Sequence, residues 1–205
     1  MCLKLQKKLV SEFSSYRFEM EGLWVQGKRR SDMVYKIPCD DPASIWLSSG
    51  WQSPGNFYAD LPSLQYEVIR RFLADFNRLL TEVEDECSCA AMIATEEWHF
   101  LCAAHRKPQE CSAFDYMRHT VDGSIALVLS TRNFSDRKKI DPENAKMFVS
   151  MLRRLYRIFA HLFYHHRELF LRYEESNNFC QKFTAFVKEF SLVTDDTLII
   201  PSDAF

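Results

Sequence analysis

From Asp141 to Tyr173 the chain carries one sustained helical pattern, and that pattern limits what the rest of the sequence can fold into. Phe148, Leu152, Leu155, Phe159, Leu162, His166, Leu169 and Tyr173 recur three or four residues apart, which places them along one face of an α-helix. Asp141 is a natural N-cap, Pro142 suits the first helical position, and Glu143 complements the positive end of the helix dipole. A long helix with one apolar stripe must be covered by other elements along its length. Three segments are spaced to do so. Ser63 is expected to cap a helix running to about Val83, with Leu64, Val68, Phe72, Phe76 and Leu79 inward. A second, from Cys111 to about Leu129, carries Phe114, Met117, Val121, Ile125 and Val128 around an internal Gly123. The last, from about Asn178 to Phe190, carries Phe179, Phe183, Phe186 and Phe190. The expected fold is mainly α, a bundle around a long central helix, with a short β-hairpin in TEEWHFLCA around Trp98.

The chain of 205 residues is 47% hydrophobic and contains 17 Phe, enough to bury a core without a disulfide framework. A formal net charge of -2 supplies no global basic field, which argues against nucleic acid as a partner. No stretch reaches the ~18 apolar residues of a membrane span, and the N-terminus lacks the apolar core of a signal peptide. The seven cysteines are therefore expected to be reduced, and the expected location is cytoplasmic, with membranes reached through partners. Residues 1–60 read as an extended arm, with the basic run Lys28-Arg29-Arg30, scattered prolines, and Trp24, Trp46, Trp51 and Phe57 as anchors. The helical domain is expected over residues 61–205.

Three constellations could carry chemistry. Cys87 and Cys89 stand against His161, His165 and His166, and two thiolates with two imidazoles make a closed, structural zinc site. Cysteine is also a small buried hydrophobe, and Cys-x-Cys is tighter than the usual gap between zinc cysteines. On a regular helix His161 and His165 share a face, whereas His161 and His166 stand about 140° apart. The apolar stripe turns His166 inward all the same, so periodicity leaves the pair open.

Arg153, Arg154 and Arg157 fall within about 100° of arc, opposite the apolar stripe and on the side of Lys146. They should project outward together, and three guanidiniums on one face suit a phosphate dianion. A solvated face is the bland alternative, but no Asp or Glu lies three or four residues from these arginines within the helix. Catalysis by a Cys/His pair, Cys102 or Cys111 with His99, His105 or His119, has no local support: no nucleophile elbow, no Gly-rich phosphate loop, no H-E-x-x-H.

The run CSCAAMIATEEWHFLCAAHRKPQECSAFDYMRHTVD, followed by RRLYRIFAHLFYHHRELF and NFCQKFTAFVKEFSL, resembles the Mob/phocein family, and most of all its phocein branch. Four blocks in register, across residues 62 to 200, carry the resemblance. It implies a compact helical fold, a non-catalytic adaptor or scaffold, and one structural zinc. It implies partners such as striatin-like scaffolds, the phosphatase 2A complex and germinal-centre kinases, with coactivation of nuclear Dbf2-related kinases as the alternative. That alternative needs an acidic face between Ser63 and Val83, where Arg70, Arg71 and Arg78 blunt Glu67, Asp75 and Glu82. A zinc hydrolase is the remote third reading and would need an open coordination position. Carried over by position, Arg153, Arg154 and Arg157 match a phosphopeptide pocket, joined by Arg106 and Lys107. The ligand set implied is Cys87, Cys89, His161 and His166. In strict register the first cysteine falls at Glu84, so the resemblance also admits Glu84 as an oxygen ligand. Pairing His161 with His166 further implies either a distorted helix there or an oblique approach by the cysteine loop.

Overall fold

A computed structural model describes residues 61–135 and 139–204, and the expected arm with its aromatic anchors lies outside the described residues. The described residues form five α-helices: α1 Leu61–Glu86, α2 Ala113–Leu129, α3 Pro142–His165, α4 Arg167–Asn177 and α5 Phe179–Glu189. A short 3-10 turn follows at Asp195–Thr197. Helix α1 packs along α2, α2 against α3, and α3 hands over to α4 and α5.

The core is aromatic where these helices meet. Phe76 of α1 lies 4.9 Å, centroid to centroid, from Phe159 of α3 and 4.8 Å from Phe179 of α5. Phe72 meets Phe183 at 5.2 Å and Phe186 at 5.4 Å. Tilted and edge-on arrangements of this kind place ring edges against ring faces, a favourable quadrupole geometry beyond simple area burial. Phe148, Leu152, Leu155, Phe159 and Leu162 are all buried, as the stripe requires.

Several boundaries differ from expectation for identifiable reasons. Ser63 lies inside α1, whose first residue is Leu61, and its buried hydroxyl accepts from the Ile140 N–H at 3.2 Å. Its hydroxyl thus holds the entry to α3 and does not cap α1. The long helix expected over 142 to 173 is interrupted at His166, where φ −134° and ψ 53° leave helical space. The ladder nearly survives the break, because His166 N–H still donates to Leu162 and its carbonyl accepts from Phe170. The chain therefore turns without unravelling.

Asp141 caps α3 by accepting from the Glu143 N–H, with Pro142 behind it, as expected. Helix α2 starts two residues later than Cys111, at Ala113, because Ser112 accepts from the Asp115 N–H. A Cβ on Gly123 would meet nothing within 4 Å, so this glycine is not demanded by close packing. Between α4 and α5, Asn178 adopts the left-handed region (φ 48°), which an asparagine tolerates. The buried Glu174 carboxylate then accepts from the Cys180 and Gln181 N–H groups at 2.8 and 2.9 Å, capping α5 from outside. The segment around Trp98 forms isolated antiparallel bridges, Ile93 with His99 and Cys102 with Gln109, in place of a full hairpin. No helix of the described residues is long and apolar enough to cross a membrane.

Candidate metal centre and basic face

The break at His166 decides which histidines can share a ligand. Cys87 and Cys89 leave the C-terminal end of α1, and His161 and His166 come from the α3–α4 junction. The ligand atoms of these four residues all lie within 4.8 Å of one another. Cys87 Sγ is 3.6 Å from His161 Nε2, and Cys89 Sγ is 3.3 Å from His166 Nε2. A tetrahedral ion with bonds of about 2.3 Å to sulfur and about 2.0–2.1 Å to nitrogen spaces its ligands roughly 3.3–3.8 Å apart. The residues present fit such an ion. His161 Nδ1 also lies 2.6 Å from the Ile93 carbonyl, which puts the proton on Nδ1 and frees Nε2 to bind. His165 is exposed, outside the group, with its ring stacked 4.8 Å from that of His161. His165 does share the face of His161, as a regular helix requires, but it is His166, at the break in the helix, that joins the cysteines. Glu84 is exposed within α1 and is not in the group.

Burial pushes the Cys87 thiol up to about 11 and holds His161 down to about 4. Both shifts come first from desolvation, which penalises a bare thiolate and an imidazolium alike. A divalent cation among them would reverse the balance for the thiols, because its charge favours thiolate.

The arginines are placed differently from expectation. All three are half-buried, and they do not project freely outward. The Arg157 guanidinium sits 4.7 Å over the Phe100 ring and donates to the Tyr116 hydroxyl at 2.9 Å. Burial holds the Arg154 guanidinium below its ordinary range, and the charge of Arg157 pushes in the same direction. The Nε of Arg153 is buried without a hydrogen-bond partner. Periodicity missed this because the segment from Phe100 to Cys102 lies against what a lone helix would present as its outer face. Arg106 and Lys107 are exposed and, with His105 and Gln109, line an open surface pocket.

Sequence reasoning considered Cys102, Cys111, His105 and His119 as parts of a nucleophile pair, yet the fold gathers all four. Their ligand atoms also lie within 4.8 Å of one another. Burial raises the Cys102 thiol to about 11 and raises Cys111 as well, the opposite of what an activated nucleophile needs. The signal that could have found the group is its spacing, Cys-x2-His followed by Cys-x7-His. His99 stands apart, 3.0 Å from the Glu110 carboxylate.

The Mob1/phocein family model matches residues 57–201. Over 140 residues the chain is 41% identical to MOB kinase activator-like 4 of Drosophila melanogaster. It is 42% identical over 140 residues to the MOB-like protein phocein of Caenorhabditis elegans. Each match covers 67% of this chain and 63% of the relative, so the chain spans just under two thirds of these relatives' length. With the family model running from before α1 to beyond the 3-10 turn, and two such relatives in agreement with it, the chain belongs to the Mob1/phocein family.

Proposed function

We propose that this chain is a non-catalytic, phocein-like adaptor that receives a phosphorylated segment of a partner protein on Arg153, Arg154 and Arg157, with Arg106 and Lys107 at the margin. Zinc held by Cys87, Cys89, His161 and His166 would tie the end of α1 to the α3–α4 junction and stiffen the surface. The partners in this reading are striatin-type scaffolds that join phosphatase 2A to germinal-centre kinases, met in the cytoplasm. Residues 61–205 act as the binding domain and residues 1–60 as an arm.

The observation that carries the reading is the pairing of Arg154 with Arg157. Two half-buried guanidiniums three residues apart on one helix repel each other, and a phosphate dianion would relieve that repulsion while accepting bidentate hydrogen bonds. Arg157 is already oriented by Phe100 and Tyr116, so little side-chain entropy remains to be lost on binding. Family membership supports an adaptor-type role.

Coactivation of a nuclear Dbf2-related kinase is the second reading, favoured by the name of the Drosophila relative. It would require α1 to offer an acidic face to a basic kinase segment. Glu67 is paired with Arg70 at 2.5 Å and Asp75 with Arg78, which neutralises much of that face. The adaptor reading is therefore preferred.

The test is fluorescence anisotropy of phosphothreonine peptides and their unphosphorylated twins, against the wild type and Arg154→Ala/Arg157→Ala. Phosphate-dependent binding abolished by a folded double variant supports the reading. Absence of binding by the wild type would reduce the arginines to a structural and solvated face.

A further inference from the structure

Outside the α3–α4 junction, a second group of soft ligands converges on one point. Cys102 comes from the segment that bridges to Gln109, His105 from the loop between them, and Cys111 from the approach to α2. His119 comes from within α2. Cys102 Sγ lies 3.5 Å and Cys111 Sγ 4.0 Å from His119 Nδ1, and His105 Nε2 lies 2.9 Å from Cys111 Sγ. The two imidazole rings meet edge to face at 5.0 Å, so each can aim a nitrogen at a shared centre without a clash.

We propose that Cys102, His105, Cys111 and His119 form a second metal site, a closed four-ligand zinc centre separate from the one at the α3–α4 junction. Two thiolates and two neutral imidazoles balance the charge of one divalent ion, and this soft tetrahedral set selects zinc over the oxygen-seeking divalent cations. The residues lie one after another within eighteen positions, from 102 to 119, as in compact structural zinc loops.

Two features beyond proximity favour a metal over simple packing. Residues 103–110 contain no helix, and the loop is closed by the backbone pair Cys102 N–H to Gln109 (2.8 Å) and Gln109 N–H to Cys102 (3.2 Å). A loop held by so little regular structure gains most from a covalent-like tie at its base. Packing alone would also have no reason to turn four metal-binding atoms, from four separate positions, toward one centre. A nucleophile with its base needs two such groups and an open approach for substrate, whereas four converging ligands close the position to water.

The site would act as a strut. It would clamp the loop that displays Arg106 and Lys107 onto α2, beside Arg154 and Tyr116 of the basic face. Whether those residues read phosphate is a separate matter, and the metal site stands or falls without it.

The test counts metal in the full chain, purified from zinc-supplemented medium, by mass spectrometry of the bound ions. Two equivalents are expected in the wild type, one after Cys102→Ser/Cys111→Ser and one after Cys87→Ser/Cys89→Ser. A wild type with one equivalent that Cys102→Ser/Cys111→Ser retains overturns the proposal and leaves the junction site standing. A wild type with one equivalent that this variant loses supports the proposal and removes the junction site instead. Should the variants not fold, alkylation of the wild type decides. Cys102 and Cys111 must resist iodoacetamide in the zinc-loaded protein and react once a chelator is added. Equal labelling with and without chelator overturns the proposal, as does protection released by a reductant alone, which would report a disulfide.

Discussion

Cys87 Sγ faces Nε2 of His161 at 3.6 Å, across 74 residues of sequence. This contact joins the residue just past α1 to the end of α3, and the other nitrogen of the same histidine is committed to the Ile93 carbonyl. Such an arrangement constrains three segments at once: α1, the loop through Ile93, and the α3–α4 junction.

Loss of metal from this group should cost folded stability. An ion that binds the native state with free metal about a thousandfold above Kd contributes about 4 kcal/mol. At about 2–4 °C per kcal/mol for a domain of this size, Cys87→Ser should lower Tm by roughly 10 °C. Differential scanning calorimetry of the wild type and variant, each with and without chelator, checks this. An unchanged Tm throughout would remove the structural-metal reading.

Phe159→Asp should leave no folded domain. Phe159 is buried among Phe76, Phe179 and Phe183, at 4.9, 4.9 and 5.4 Å. Truncating such a phenylalanine costs about 3–5 kcal/mol, and an unpaired buried carboxylate adds several more. Against a total of about 5–15 kcal/mol, little remains. Circular dichroism decides: a soluble, helical Phe159→Asp protein contradicts the packing, whereas Phe159→Leu should keep the fold with a modest loss.

Glu174→Ala should destabilise by about 1.5–3 kcal/mol in urea unfolding, because two charge-assisted bonds at the start of α5 disappear together. Glu174→Gln, which keeps an acceptor but loses the charge, should fall between the two. A Glu174→Ala protein with an unchanged urea midpoint would show that water caps α5 equally well.

Tyr156→Phe should loosen the tail and spare the bundle. The Tyr156 hydroxyl accepts from the Ile200 N–H at 2.9 Å, while the ring remains buried in α3. The global loss should be about 1 kcal/mol, with amide exchange rising selectively at Ile200. Exchange that rises equally across α3 would mean that the hydroxyl supports the core as a whole.

The helical class, the cap of α3 by Asp141 and the inward stripe through Phe148, Leu155 and Phe159 were legible in the sequence. Each depends on residues within one or two turns of one another, where helical periodicity translates spacing directly into a face. The candidates Cys87, Cys89, His161 and His166 were legible as residue types, and the family resemblance selected His166 over His165.

What local pattern could not reach were contacts between distant segments. The chain turns at His166, where the backbone leaves helical space, and that turn lets His161 and His166 share a centre despite their spacing on a regular helix. The segment at Phe100 and the hydroxyl of Tyr116 hold Arg157 against the domain, where the helix alone would leave it in water. Likewise, Cys102, His105, Cys111 and His119 became a group when the loop closed onto α2. Periodicity is a property of the chain's nearest neighbours, whereas side-chain convergence depends on how whole elements bury one another's apolar faces. The sequence by itself therefore determined which helices form and which faces they bury, and the tertiary structure decided where their functional atoms meet.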